Sequence, residues 1–418
     1  FKQKTAYEML RSLVGSEMCI RDRYNKGQVM LKNMQEKIGY LRETQIGSFI
    51  PVLLALIAIW VYFGIVEPVF LSPRNFYFLF MQSAVVGTLA VGVTLVLLMG
   101  DIDLSIATVA GVCAAIVAVL STNMGISAPI ACLAGLGAGA VLGGIMGTLI
   151  AYFRIPSFVV TLAGLLGFQG LMMKILGIHG AINVRDPFIR GLTTTTLPDS
   201  IGLILAAIGV IIFGLAIWNN RRARSAKNLD NDLLYLSIIK FIFFSTLIIT
   251  ATLILNAYRG VPLTIIILLS ITGFLGWLTT STSYGRAVFA VGGNLESARR
   301  VGISIEFMRI SAFALVGFMA AVGGIIGASR YASVSFNAFA GGPLLLEAIG
   351  AAVIGGTSLF GGRGSVWNAI LGALVIGSLG NGLDLAGAKA ADKLMFSGAI
   401  LLIAVTLDAV TRGGVSRK

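Results

Sequence analysis

Between Ile50 and Val410 the sequence divides into apolar runs of roughly 17 to 25 residues, each almost free of charge. Coiled as a helix at about 1.5 Å per residue, such a run crosses a hydrocarbon layer roughly 30 Å thick. A helix also satisfies its own backbone, which a lipid solvent demands. The chain is 57% hydrophobic and 12% charged, with mean hydropathy +0.92. A soluble domain, about one quarter charged, could not cover so much apolar surface. The expected fold is therefore all-α, a polytopic helical membrane protein.

Reading the runs against their breaks gives spans at Ile50–Val66, Phe78–Met99, Leu104–Leu120, Ala128–Phe153, Phe158–Leu176 and Ile201–Trp218. Leu234–Ala257, Leu263–Leu278, Ile310–Ala328, Leu344–Leu359, Val366–Leu385 and Leu394–Val410 follow, about 12 in all. Leu344–Leu359 is short and glycine-rich, which suits a half-helix lining a cavity, and GDID between Met99 and Leu104 either joins or interrupts two spans. Depending on these two places the count is 10 to 12.

Positive charge sets the orientation, because short cytoplasmic loops carry the excess of Lys and Arg. Arg221, Arg222, Arg224 and Lys227 mark one inside loop, and Arg286, Arg299, Arg300 and Arg309 another. An even number of spans from a cytoplasmic N-terminus puts both loops inside, together with the tail at 412–418. The longest outside loop then runs from Gly177 to Pro198 and holds His179. The formal charge of +13 is spread between spans and at the termini, so it points to loop topology and away from nucleic acid.

Residues 1–44 are polar, which suits a cytoplasmic segment ahead of a membrane domain at 45–411 and not a cleaved signal peptide. Within them Leu13–Arg23, LVGSEMCIRDR, resembles translated sequencing adapter, so the first two dozen residues are read as non-native. Cys19, Cys113 and Cys132 have no metal or disulfide spacing, and the latter two suit packing inside spans.

Acidic groups within apolar surroundings need a partner, a cavity or an interface. Asp101 and Asp103 fall at the break after Met99, where either an interfacial turn or a polar pathway would hold them. Glu347, Asn381 and Asp384 fall near expected outer ends of spans, and Lys240 can snorkel inward. Their irregular spacing does not make the carboxylate ladder of a proton relay. No HExxH, GxSxG or metal-ligand cluster is present, so no catalytic or metal-binding residue is assigned and an enzyme is not expected. Nor is there a GxxxxGK[ST] phosphate loop, so any ATP hydrolysis must come from another chain. Gly135, Gly139, Gly143 and Gly147 fall every fourth residue and make a smooth stripe for close helix approach, a spacing repeated once by Gly323 and Gly327.

Residues 279–309 leave the membrane as a loop expected inside. Asn294 suits an N-cap, Glu296 the positive end of a helix dipole, Arg299 and Arg300 the negative end, and Gly302 a C-cap. A short rigid helix, either a surface connector or a handle for a motor protein, follows.

GGNLESARRVGI (Gly292–Ile303) in this loop resembles the coupling loop of permease subunits of ribose, galactose and xylose ATP-binding-cassette importers. GDIDLS (Gly100–Ser105), PSFVVTLAG (Pro156–Gly164), EAIGAAVIGGTSLFGGRGS (Glu347–Ser365) and GSLGNGLDLAG (Gly377–Gly387) resemble the same family in the same order. NAYRGVP (Asn256–Pro262) and the extra pair of spans between Ile201 and Ala257 look like xylose permeases, since ribose-type relatives lack that insertion. Asp101 stands where glutamate is commoner, and Ile106 and Ala107 where valine and glycine are usual, which leaves the sugar open.

The resemblance implies a homodimer in the bacterial cytoplasmic (inner) membrane that imports a monosaccharide, D-xylose first, by alternating access. Its partners would be a cytoplasmic double-cassette ATPase, a periplasmic sugar-binding protein and membrane lipid. ATP and Mg would sit on the ATPase, with no cofactor on this chain. Asn294, Leu295, Glu296, Ala298, Arg299, Arg300 and Gly302 would engage the ATPase. Asp101, Asp103, Ser105, Ser157, Gln169, Thr357 and Asn381 are the expected sugar path, because a sugar needs donors and acceptors; helix-to-helix hydrogen bonding is the alternative for each. Competing readings are an ion-coupled secondary transporter, a permease of the same family for ribose or galactose, and a membrane-embedded transferase or protease.

Overall fold

A computed structural model of the chain describes residues 45–226, 234–340 and 342–413; the adapter-like stretch, Cys19, Lys227 and residues 414–418 of the expected tail lie outside the described residues. From Val52 onward the chain forms one compact unit. Among the described residues ten helices are long and apolar enough to cross a membrane.

Helix α1 covers Gln45–Val66 and α2 Pro73–Leu98. Sequence periodicity starts the second span at Phe78, but the helix begins earlier because Ser72 accepts from the Asn75 amide and Pro73 presets the first turn. Helix α3, Ile106–Ala118, follows the GDID turn and runs on as a π-helical turn to Asn123, so that turn separates two helices. Then come α4 (Ala128–Phe153) and α5 (Ser157–Leu176).

Beyond α5 the chain makes strand β1 (Ala181–Asn183), helix α6 (Pro187–Thr194) and strand β2 (Thr196–Leu197). Asp186 caps α6 by accepting from the Phe188 and Ile189 amides. A peripheral hairpin follows, α7 (Asp199–Ala226) and α8 (Leu234–Asn256). Its two ends are drawn together by β2 pairing antiparallel with β3 (Val261–Pro262).

Helix α9 (Leu263–Ser281) leads into two helices, α10 (Ser283–Gly293) and α11 (Leu295–Arg300), before the long α12 (Ile305–Tyr331). Helix α10 occupies a stretch read from the sequence as loop; Thr282, accepting from the Gly285 amide, starts it. Strand β4 (Ser333–Ser335) pairs with β1, and helix α13 (Phe336–Phe339) precedes α14 (Gly342–Ile354). Helices α15 (Val366–Leu385) and α16 (Ala390–Gly413) complete the chain.

Helix α14 has 13 residues, about 20 Å at the α-helical rise, and reaches span length only together with α13 ahead of it, as the stretch Phe336–Ile354 counted among the ten. The irregular segment 355–365 continues it inside protein, where Thr357 and Ser358 are buried, the setting in which membrane proteins tolerate non-helical backbone.

At the centre α2 is buried along most of its length, with α12, α14 and α15 around it. Helices α4 and α12 run antiparallel along a seam in which Gly139 and Gly143 face Gly317 and Phe313. A methyl group at Gly143 would overlap the Phe313 carbonyl, so the two backbones touch directly. Gly135 instead admits Val117, while Gly323 and Gly327 admit Leu89 and Phe339.

Candidate functional site

Gly292–Ile303, Gly100–Ser105, the start of Pro156–Gly164 and the end of Glu347–Ser365 gather at one end of the bundle, the end opposite the two short β-ladders, whereas Gly377–Gly387 closes α15 at the other end, where Asn381 meets Asn75. Helix α11 protrudes there. Asn294 stops α10 and caps α11, its side-chain oxygen accepting from the Ser297 amide at 2.8 Å. At the far end the Gly302 amide donates to Arg299 O at 3.0 Å and the Ile303 amide to Ala298 O at 3.1 Å. That pair of bonds is the Schellman closure, and it needs Gly302 at its positive φ of 85°. Both caps expected from the sequence are therefore formed.

Only one face of α11 is anchored: Ala298 is buried while Glu296, Arg299 and Arg300 are exposed and Leu295 is half-buried. Glu296 and Arg299 approach to 3.8 Å in water, a pair worth at most about 1 kcal/mol. These charges add little to the fold, so they remain available to a partner. Val301 and Phe307, 77% and 62% exposed, flank the helix with apolar surface. The sequence reading missed them; the signal was two large apolar residues beside a capped, charged turn.

Beneath this knob lies the turn between α2 and α3. The Asp101 carboxylate accepts from Arg309 Nε at 3.0 Å and Arg309 Nη2 at 3.4 Å, tying the turn to the start of α12. The Ile102 amide donates to Ser157 Oγ at 3.1 Å, and Thr161 Oγ1 donates to Ile102 O at 3.1 Å, tying it to α5. Asp103 accepts from both the Ser105 amide and the Ser105 hydroxyl at 2.7 Å, which fastens the first turn of α3. Burial pushes both carboxyls above their usual range; the nearby Arg309 charge and bonds from Ser157 and Arg309 pull Asp101 back, and Ser105 pulls Asp103 back. Burial also raises the Tyr284 phenol, partly offset by its bond with Ser311 at 3.1 Å, which ties α10 to α12. Arg309, read from the sequence as a topology marker, is thus a structural partner of Asp101.

The seven polar residues expected to line a path do not converge. Asp101, Asp103, Ser105 and Ser157 share the turn just described. Thr357 lies in the 355–365 segment that abuts that turn, its buried hydroxyl without a hydrogen-bond partner among the described residues. Gln169 donates to Ala340 O toward the other end of the bundle. Asn381 joins α15 to α2, accepting from Asn75 at 2.7 Å and donating to Gln82 at 3.4 Å. Among the described residues no group of three or more His, Cys, Asp or Glu side chains could hold a metal ion.

A family model described as branched-chain amino acid transport system / permease component matches residues 75–405. The xylose transport system permease protein XylH of Escherichia coli (strain K12) is 36% identical over 360 residues, covering 86% of this chain and 91% of that protein. XylH of Haemophilus influenzae is 35% identical over 364 residues, with 85% and 94% covered. The autoinducer 2 import system permease protein LsrC of Salmonella typhi is 30% identical over 368 residues, with 87% and 86% covered. No solved structure matches the chain. With apolar helices throughout, a capped helix projecting from one end, and a match that spans nearly the whole bundle, this chain belongs to the family of transport-system permease components.

Proposed function

We propose that the chain is the membrane-spanning subunit of an ATP-driven importer in the bacterial inner membrane, with D-xylose as its first candidate cargo. The observation that carries this reading is the likeness to XylH, 36% identity over 86% of this chain. The chain supplies a conduit and a handle. Two copies would form the conduit, a periplasmic sugar-binding protein would deliver the sugar, and a cytoplasmic double-cassette ATPase would grip α11. Closure of the ATPase on ATP shifts the population between inward-open and outward-open packings, which is alternating access. Glu296, Arg299, Arg300 and Val301 form the grip, with Asn294 and Gly302 keeping it rigid through their caps.

The sugar path draws on Asp101, Asp103, Ser105, Ser157, Gln169, Thr357 and Asn381, whose hydrogen-bond capacity suits a polyhydroxylated solute. In the present packing most of that capacity is committed to other groups of this chain, so the path opens only as those contacts separate.

Proteoliposomes containing this chain, the ATPase and the binding protein, tested with xylose, ribose and galactose, check the reading. Nucleotide-dependent uptake of xylose above the other two is expected. Uptake by this chain alone, without nucleotide, would overturn the importer and favour an ion-coupled carrier. The double variant Glu296→Arg with Arg299→Glu keeps the ion pair but reverses the pattern shown to the ATPase. It inserts normally and loses ATP-driven uptake; wild-type uptake would remove α11 from the grip.

A further inference from the structure

The coupling region meets the membrane core through backbone at one place. Gly292, near the end of α10, lies against the Leu98 carbonyl and the Gly362 amide, and a methyl group there would overlap the Leu98 oxygen. The Gly362 amide itself donates to Leu98 O at 2.9 Å. Gly361, at φ 85°, closes against the Gly100 amide and the Gly292 carbonyl with no room for a side chain. Three segments distant in sequence, the end of α10, the end of α2 and the 355–365 link, thus join main chain to main chain.

On its other side the same turn is wired outward. Asp101 holds Arg309 of α12, and Ile102 holds Ser157 and Thr161 of α5. A push on α10 and α11 reaches this turn through Gly292, and no rotamer intervenes at the contact to absorb it. It then leaves along two routes, a charged pair to α12 and a pair of hydrogen bonds to α5. Arg309 moves with α12, whose seam with α4 is also backbone to backbone.

We propose that the turn from Leu98 to Asp103 is the transmission joint of the transporter, with Gly292 and Arg309 as its positioning residues: α10 drives the turn, and the turn drives α5 and α12 together. This rests on the reading of the chain as an ATP-driven permease. Neither residue belongs to the surface gripped by the ATPase, so the joint is separable from docking. A contiguous chain of contacts of this kind is a physical route for coupling, and it must be shown by coupling data.

The test uses the full complex in proteoliposomes, with Gly292→Ala, Arg309→Gln and the conservative Arg309→Lys. Three quantities are read: ATPase copurified, ATP hydrolysed and sugar taken up. Copurification and basal hydrolysis stay at the wild-type level, while sugar moved per ATP falls about tenfold for Gly292→Ala and Arg309→Gln. Arg309→Lys, which keeps the charge facing Asp101, recovers most of the loss. An unchanged ratio of sugar to ATP overturns the joint; so does uptake lost together with ATPase binding, which would make Gly292 part of the docking surface.

For variants that fail to fold, spin labels on protein that keeps Gly292 and Arg309 decide. Cysteines replace Ala290 on α10, Phe158 on α5 and Ile178 near the other end, all exposed, with the chain's own Cys19, Cys113 and Cys132 replaced by alanine. On adding ATP, the Ala290–Ile178 and Phe158–Ile178 distances change together. Movement at Ala290 with none at Phe158 overturns the proposal. A wild-type complex that shows no ATP-dependent uptake refutes instead the importer reading on which the joint stands.

Discussion

The seam between α4 and α12 and the hairpin of α7 and α8 are both apolar helix pairs, yet they meet by opposite means. Along the seam, Gly139 and Gly143 bring backbone against the backbone of Phe313 and Gly317. In the hairpin, aromatic rings hold the helices apart: Phe213 stacks at 6.5 Å on Phe241 and meets Phe244 edge-on at 5.3 Å. The seam is interior to the bundle, whereas Ile204, Ile211, Ile212, Leu215 and Trp218 of α7 are exposed. In lipid, hydrophobicity does not draw one helix to another, because lipid tails are as apolar as leucine. Small residues therefore mark where protein meets protein, and large apolar ones mark where it meets lipid.

The sharpest way to break this contrast is Gly143→Leu. A side chain driven into the Phe313 carbonyl destabilises the seam by about 3 kcal/mol, and folded, monodisperse protein in detergent is lost. Wild-type recovery of that variant would mean the seam is not closed in solution. A smaller effect comes from excising Asp199–Arg259 and joining the β2 and β3 ends by a short turn. The remaining bundle loses mainly the contacts of Leu255 and Tyr258 with Tyr77 and Met81, a cost of about 2 to 3 kcal/mol. It still purifies folded, as judged by size-exclusion profile and thermal unfolding; aggregation would show that the hairpin is integral to the core.

Phe213→Ala removes one ring from a lipid-facing cluster and lowers stability by about 1 kcal/mol, read as a small drop in unfolding temperature. Smallest is Gly209→Leu, on α7, where nothing lies within 4 Å of the added carbon. Its change stays within about 0.5 kcal/mol. A large effect there would mean that another chain covers this face.

The membrane character, the places of the apolar helices α3, α4, α5, α8 and α9, and the capped helix α11 were legible in the sequence because each depends on local rules, whereas α7 runs past Trp218 through Arg221, Arg222 and Arg224 to Ala226, a stretch read as loop. Apolar length sets a crossing, and Asn294 and Gly302 carry their own backbone preferences. Helix α10 was not legible, since SYGRAVFAVGG is short and has three glycines, and its start depends on Thr282 capping and a tight approach of Gly285 to Thr279. The beginning of α2 was placed at Phe78 because Asn75, Phe76 and Tyr77 follow a proline and an arginine, yet contacts with α15 and α8 draw that first turn into the bundle.

What the chain determined alone was its solvent and its punctuation: helices long enough for a bilayer, caps where polar residues and glycines fall, and a stripe of glycines ready for a close neighbour. Tertiary structure decided which neighbour. It gave Gly143 to Phe313 and Gly317 instead of Gly323, gave Asp101 to Arg309 across 208 positions of sequence, and set Gly292 on Leu98. The physical reason is that periodicity fixes which face of a helix is smooth or polar. Choosing the partner for that face depends on satisfying close packing and buried charge for all the helices at once.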